Sequence, residues 1–368
     1  MFGRKLAKWF VLTINIIVAF LMLITLLGSV YSPEKFLFPA YFSLIYPIII
    51  IVNIGFVLFW VLVRKWNFLL SLSLLLISAQ QISNVFPIHI GKAEVVNKSF
   101  PIHILSYNTK MSGNLVKDKP LKPNNVMRYI ANSNADIVCL QEFDVSTLKE
   151  YLTFGDMLRI FNQYRFKHIE FKVRSHTNIF GIATFSKFPI VKRQRIDYLT
   201  RGNISISTDI DINGKIVRIF NNHLESNRIT DNDKAMPTYL KENFNADNLT
   251  GLTVHFGQKL GVAYKLRAHQ ADTVSKLITE SPFDVLVCGD FNDVPGSYAY
   301  NTMRGKLKDA FSETGTGFGW TFAEPLYGFR IDYIFYNPKA FTPINFVIDK
   351  VKYSDHYPVH CQMNINKL

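Results

Sequence analysis

The stretch Val285-Leu-Val-Cys-Gly-Asp-Phe-Asn-Asp293 carries the most information about this chain. It reads as a short buried strand that stops at a glycine and presents Asp290 and Asn292 two residues apart at its tip. A carboxylate and an amide placed there can hold a water molecule beside a phosphate. One such site alone is a weak signal. It gains weight because further polar clusters of the same kind lie along the chain: Tyr107-Asn108, Gln141-Glu142, Ile331-Asp332-Tyr333 and Ser354-Asp355-His356.

Working outward, Ile102 to Asn108 reads as a strand, and Pro123 to Ala135 has helical spacing at Val126, Tyr129 and Ile130. Asp136 to Leu140 is a short buried strand. Ile204 to Ile212 alternates apolar and polar residues, Asn213-Gly214 follows, and Lys215 to Phe220 resumes the pattern; Asn-Gly between two such runs is a strong hairpin signal. Val262 to Ser281 reads as an amphipathic helix. Between His223 and that helix, Asn227 to Gly261 is weakly periodic and rich in Asn, Asp, Lys and Gly, as a surface loop or a substrate-contacting lid would be. Strands, hairpins and helices in this order predict α/β or α+β layers on mixed sheets.

The first hundred residues differ in kind. Phe10 to Val30 is uncharged and, at 1.5 Å per residue, about 31 Å long as a helix, enough to cross a bilayer core. Uncharged runs at 40–63 and 68–86 follow, the last crowded at its end by Gln80, Gln81 and Asn84. Three spans (about 10–30, 40–63 and 68–86) are expected within an anchor over 1–87, then a linker at 88–100 and a domain over 101–368. Arg4, Lys5 and Lys8 before the first run, and Arg64-Lys65 after the second, place those points in the cytoplasm by the positive-inside rule. Three crossings put the large domain outside the cytoplasm, in the plasma or inner membrane; a third run lying on the surface would leave it cytosolic. A cleaved signal sequence is a poorer account of the first run, which is long and lacks a clear cleavage site.

The chain has 41 Lys and Arg against 28 Asp and Glu. The excess remains after the first hundred residues are set aside, which suits an anionic substrate or membrane surface, or serves solubility alone. Cys139, Cys288 and Cys361 sit in apolar runs and match no metal motif, so they read as buried thiols. His103, His168, His176, His255 and His269 show no zinc-ligand spacing.

Taken in order, Tyr107-Asn108, Gln141-Glu142, Asn222-His223-Leu224, Gly289 to Asp293, Arg330-Ile-Asp-Tyr-Ile334 and Ser354 to Val359 resemble the endonuclease/exonuclease/phosphatase (deoxyribonuclease-I-like) superfamily. The Gly181 to Ile190 run is similar to its central strand. The resemblance covers nearly all of 101–368 and none of the apolar runs. It implies a four-layer α/β/β/α sandwich of two mixed β-sheets with the site at one end. It also implies metal-dependent phosphoester hydrolysis.

The residues suit that chemistry. A phosphodiester repels nucleophiles and has a poor leaving group; a hard divalent cation on carboxylate oxygen answers both problems. Glu142 is the first candidate ligand for Mg²⁺, or for Mn²⁺ in its place, with Asp355 and Asn108 contributing. Asp290 would orient and deprotonate water, with Asn292 and Asn108 supporting water, metal or phosphate. His356, which the resemblance pairs with Asp332, would meet transition-state charge as an imidazolium. The resemblance leaves the general base open between Asp290 and the Asp332–His356 pair. His223 is assigned to a phosphate hydrogen bond, because no carboxylate stands where one supports this histidine in paired-histidine nucleases, and Glu170 lies upstream. The expected substrate is nucleic acid or a phospholipid headgroup, with the lipid bilayer as the other partner and no protein partner evident. The competing expectation is an inactive, membrane-tethered binding module, and the retained Glu142, Asp290, Asn292, Asp332 and His356 argue against it.

Overall fold

The computed structural model describes residues 2–89, 101–110, 125–229, 233, 246–323 and 328–366. By contact the chain divides into two compact units. The first joins Met1–Val85 to Ser226–Ala271 and Val294–Thr302, and the second contains Phe86–Glu225, Asp272–Asp293 and Met303–Leu368. Two segments expected in the large domain thus belong by contact with the N-terminal helices. The expected linker at 88–100 lies outside the described residues beyond His89, as does most of the expected loop or lid up to residue 245. From Ala246 that stretch is helical, in a helix of 34 residues reaching Thr279.

In the first unit, α1 (Phe2–Val30) is one continuous helix. Helix α2 (Tyr46–Leu62) has 17 residues and begins late, because Pro47 occupies its first turn and a 3₁₀ helix, Phe38–Ser43, takes up the residues before it. At 1.5 Å per residue it spans about 25 Å, short of a hydrocarbon core. The third apolar run breaks into α3 (Phe68–Ile77) and α4 (Ala79–Val85), bent by 70°. Ser78 lies at the break, its hydroxyl donating to the Leu74 carbonyl at 2.6 Å, a back-bond that bends helices. The apolar runs expected as three spans thus form one long helix, a 17-residue helix and a bent pair. Among the described residues one helix, Lys5–Val30, is long and apolar enough to cross a membrane, or two if the bent pair counts as one. Polar groups tie the helices together. Asn15 donates to Ser71 Oγ at 2.7 Å and accepts from the Trp60 indole at 2.8 Å, joining α1, α2 and α3. Tyr41 donates to the Gly257 carbonyl at 2.8 Å, fastening the long helix to the same unit.

The second unit is an α/β sandwich of two six-stranded mixed sheets. The first sheet contains β1 (Pro101–Asn108), β2 (Ile137–Ser146), β3 (Phe166–Arg174), β4 (Asn178–Ser186), β11 (Phe341–Ile348) and β12 (Val359–Ile365), in the order β11-β12-β1-β2-β4-β3. The second contains β5 (Ile190–Asp197), β6 (Ile204–Ile212), β7 (Lys215–His223), β8 (Asp284–Asp290), β9 (Lys308–Asp309) and β10 (Asp332–Tyr336), in the order β5-β6-β7-β8-β10-β9. The pairs β1–β2 and β7–β8 are parallel and the rest antiparallel. The hairpin between β6 and β7 turns at Asn213 and Gly214, φ +54° and +90°, the left-handed pair that a type I′ turn requires.

Alternation along the strands builds the core. Ile104, Ile137, Cys139, Ile219, Leu286, Cys288 and Cys361 meet between the sheets, which places all three cysteines there as buried thiols. Leu105, Tyr107, Val138 and Leu140 point the other way and pack on Val126, Met127 and Ile130 of α5 (Asn125–Asn132) and Met157 of α6 (Phe154–Ile160).

Candidate active site

Strand register assembles the centre of the site. His223, the last residue of β7, lies opposite Asp290 in the parallel pair, and Asp332, the first of β10, lies opposite the same Asp290 in the antiparallel pair. Three side chains from three adjacent strands therefore share one row and one face. Asp290 reaches that row through Gly289, whose φ is +129° and whose Cβ, were there one, would stand 2.0 Å from the Asn222 carbonyl oxygen. Only glycine fits this approach.

The facing sheet supplies the other half. Asn108 ends β1, opposite Gln141 of β2. Pairing of β2 with β4 slips between Leu140 and Phe143, and Glu142 sits in that bulge with φ +47°. The bulge keeps Phe143 on the outer core face and re-aims Glu142. The Glu142 carboxylate lies 3.3 Å from Asn108 Nδ2 and 3.6 Å from His223 Nε2. Ser354, Asp355 and His356 precede β12; the Ser354 hydroxyl donates to the Asn108 carbonyl at 2.9 Å. His356 pairs with Phe322 in an isolated antiparallel bridge.

These contacts converge on Asp290, which is fully buried. One oxygen accepts from the Asn292 backbone N–H at 2.8 Å; the other accepts from Asn108 Nδ2 at 2.9 Å and Asn292 Nδ2 at 3.1 Å. Burial, and then Asp332, pushes its pKa up to about 6 against the opposing pull of His356 and His223. His356 Nδ1 lies 2.9 Å from Asp332 Oδ2, and its Nε2 lies 3.7 Å from Asp290 Oδ2. Burial alone would strip the proton from His356, but Asp332 and Asp290 outweigh it and raise the imidazole to about 10. Burial also opposes ionisation of Asp355, yet His356 and Lys110 hold its pKa below the usual value.

Every sequence-assigned residue thus reaches one end of the sandwich. Two assignments change in detail. An asparagine amide has two N–H bonds. Those of Asn292 go to Asp290 and the Leu224 carbonyl, and those of Asn108 to Asp290 and Glu142. Both side chains therefore hold Asp290 in place rather than offering free donors to a phosphate. Glu170 takes no part: it pairs with Arg195 and His168.

Residues with no assigned role also matter. Lys110, φ +44°, forms an ion pair with Asp355 at 2.9 Å; its only sequence signal is a basic residue two places after Asn108. Buried Gln141 donates to Asn221 at 2.7 Å and Ser106 at 3.2 Å, bridging the sheets behind the site. Thr321 Oγ1 accepts from the Ile331 and Asp332 N–H groups, fixing the start of β10.

Ligand atoms of Asp290, Asp332 and His356 lie within 4.8 Å of one another, close enough to bind a metal ion. A protonated imidazole has no lone pair to give, however, and His356 is held protonated. The better fit is Glu142, a carboxylate aimed into the site by its bulge and part-exposed beside the Asn108 amide. Oxygen donors of this kind suit Mg²⁺ or Mn²⁺.

Asp290, the His356–Asp332 pair and Glu142 stand together at one sheet end, as the resemblance to a family of phosphoester hydrolases implies. The comparisons agree. Residues 105–356 match the Endonuclease/Exonuclease/phosphatase family, and residues 8–85 match a Domain of unknown function (DUF8431). The chain belongs to the endonuclease/exonuclease/phosphatase family, whose members are metal-dependent hydrolases of phosphoester bonds. It is 24% identical over 290 residues to the CCR4-Not complex 3'-5'-exoribonuclease subunit Ccr4 of Candida albicans, covering 64% of this chain and 36% of that protein. The chain therefore spans about a third of that relative's length. Among solved structures it is similar to an endonuclease/exonuclease/phosphatase from Beutenbergia cavernae (TM-score 0.51, 15% identity, 73% of this chain and 72% of that one). A Leptotrichia buccalis protein of the same family gives TM-score 0.50 and 15% identity, over 72% of this chain and 100% of that one. These likenesses concern the fold.

Proposed function

We propose that this protein is a membrane-anchored, Mg²⁺-dependent phosphodiesterase that activates water with Asp290 and stabilises the transition state with His356. The observation that carries the reading is the arrangement of two buried neighbours: the Asp290 carboxylate held by Asn108 and Asn292, and the His356 imidazole, whose Nδ1 lies 2.9 Å from Asp332 and whose Nε2 lies 3.7 Å from Asp290. A base works best with a pKa near the operating pH. Asp290 meets that condition, whereas an imidazole already protonated at pH 7 has no site left to accept a proton. The general base is therefore Asp290. His356 acts as a fixed cation, its Nδ1–H donating to Asp332 and its Nε2–H available to a phosphoryl oxygen. Asn292 and Asn108 orient Asp290, and His223, at the edge of the row, faces the phosphate.

Glu142 would hold the metal, joined by Asp355 once Lys110 exchanges away. A divalent cation held there would supply charge neutralisation at the phosphate and at the leaving alkoxide. The likeness to an exoribonuclease supports nucleic acid as substrate. A phospholipid headgroup is the second reading, supported by the apolar helices.

Trp9, Phe10, Ile17 and Phe20 of α1, and Ile48, Ile51, Leu58 and Leu62 of α2, are exposed. So much exposed apolar surface is costly in water and neutral in lipid. With the basic N-terminus cytoplasmic, a single crossing by α1 places the catalytic unit outside the cytoplasm.

The test is hydrolysis of bis-p-nitrophenyl phosphate and of a single-stranded oligonucleotide by the full chain in detergent. Turnover that EDTA removes and Mg²⁺ restores is expected, with loss in Asp290→Asn. Metal-independent turnover, or an unaffected Asp290→Asn, would refute the mechanism.

A further inference from the structure

Behind the catalytic loop, four side chains of the second unit form a continuous hydrogen-bonded chain. His103 Nε2 lies 3.0 Å from His360 Nδ1, and His360 Nε2 lies 2.6 Å from the Tyr129 hydroxyl. That hydroxyl donates to Asp349 Oδ2 at 2.9 Å. The direction of the chain follows from proton count. A tyrosine hydroxyl has one proton, so after donating to Asp349 it accepts from His360 Nε2–H. A neutral His360 then has a bare Nδ1, which accepts from His103 Nε2–H. Burial, reinforced by His103, lowers the pKa of His360 to about 4 and keeps the ring neutral at pH 7.

Asp349 follows the end of β11, and its N–H donates to the Pro358 carbonyl at 3.0 Å, closing the loop that carries Ser354, Asp355 and His356. The Tyr129 ring also meets Tyr353, next to Ser354, at 6.2 Å and Tyr107, next to Asn108, at 6.1 Å. One side chain on α5 thus touches both segments that deliver the site. We propose that Tyr129 is a positioning residue whose hydroxyl, through Asp349, fixes the loop that presents His356 to the phosphate. The proposal rests on the phosphoesterase reading of the site.

Tyr129→Phe deletes only the hydroxyl. In the full chain kcat should fall about tenfold with KM within about twofold, as the loss of one hydrogen bond that sets orientation requires. In a His356→Ala background the same substitution should leave the residual rate unchanged, since no imidazole remains to be positioned. Asp349→Ala should reproduce Tyr129→Phe, while Asp349→Asn, which keeps an acceptor oxygen, should restore most of the rate. Should Tyr129→Phe fail to fold, the Asp349 pair decides. Amide hydrogen exchange should quicken over residues 350–357 in Tyr129→Phe and stay unchanged over 286–290. Exchange unaltered at 350–357, or an equal loss of rate with and without His356, would overturn the proposal. If the wild-type chain hydrolyses no phosphoester, the functional reading fails, and the exchange measurement still decides the positioning.

Discussion

Replacing Asp332 by asparagine tests the division of labour between the two buried partners of His356. Asp332 Oδ2 stands 2.9 Å from His356 Nδ1, with side chains 1% and 6% exposed, so water does not screen the pair. Removing one partner of such a buried pair costs about 3–5 kcal/mol. The introduced amide keeps an oxygen that accepts from Nδ1, so the hydrogen bond survives and the charge alone is lost. A loss of about 2–4 kcal/mol in transition-state stabilisation follows, or roughly 30- to 1000-fold in kcat. The pH profile should move as well. Burial works to deprotonate His356, and Asp332 is the first of the carboxylates that outweigh it and hold the proton to about 10. Without Asp332 the imidazole loses its proton at lower pH, so the alkaline limb of kcat shifts downward. The assay is steady-state hydrolysis of bis-p-nitrophenyl phosphate with saturating Mg²⁺ from pH 6 to 10. A kcat within threefold of wild type, with the alkaline limb unmoved in a protein of native near-ultraviolet circular dichroism, would refute the role given to His356.

Glu142→Gln should raise the Mg²⁺ concentration for half-maximal activity by about tenfold or more, and Mn²⁺ binding followed by electron paramagnetic resonance should weaken in parallel. Gly289→Ala forces a Cβ to within 2.0 Å of the Asn222 carbonyl at a φ of +129°. It should cost about 3 kcal/mol or more, read as a lowered thermal midpoint. In EDTA, His356 should contribute stability in full below pH 6.5, its unfolded value, and lose it as pH rises through about 10. The gap in melting temperature between wild type and His356→Gln should therefore narrow from pH 7 to 10; a constant gap would contradict the raised pKa. The chain should remain in membranes after alkaline carbonate washing, and protease added outside intact cells or spheroplasts should degrade the catalytic unit; full protection from active protease would refute the orientation.

Features fixed by neighbours in sequence were legible before any coordinates. The β6–β7 hairpin is one, because Asn213-Gly214 needs only its own backbone to turn. Strand-end clusters are another, since Asp290 stands where a short apolar run stops and Asp332 and His356 stand at or just before the start of one. What escaped depends on partners far along the chain. The row His223–Asp290–Asp332 exists only through pairing register. The bulge that aims Glu142 depends on how β4 meets β2. The engagement of both asparagine amides is set by Asp290, Glu142 and the Leu224 carbonyl, which lie far apart in sequence. Hydropathy alone also leaves the helices undivided: apolar runs say how oily a segment is, whereas Pro47 and Ser78 mark where its helices begin and bend.

Non-glycine residues with positive φ carry a further argument. Lys110, Glu142 and Asn292 all take left-handed backbone, and all three border Asn108, Asp290 or Asp355. Each costs of order 1 kcal/mol relative to ordinary backbone, and such strain persists only where surrounding structure over-determines it. Of the four others, Asn134 and Asn213 are asparagines, the residue type that tolerates this region best, and Arg64 and Arg228 belong to the first unit. A lysine and a glutamate do not share that tolerance, so their placement calls for another cause. At Glu142 the left-handed turn is what removes the carboxylate from the outer core face, where Phe143 packs, and turns it toward Asn108 and His223. At Asn292 it lets one residue give Asp290 both its backbone N–H and its amide. The backbone thus holds two carboxylates in different environments a few ångströms apart, one part-exposed and suited to a cation, the other buried and raised toward neutrality. Under the proposed mechanism, that separation would let the same kind of side chain serve as ligand in one place and as base in the other.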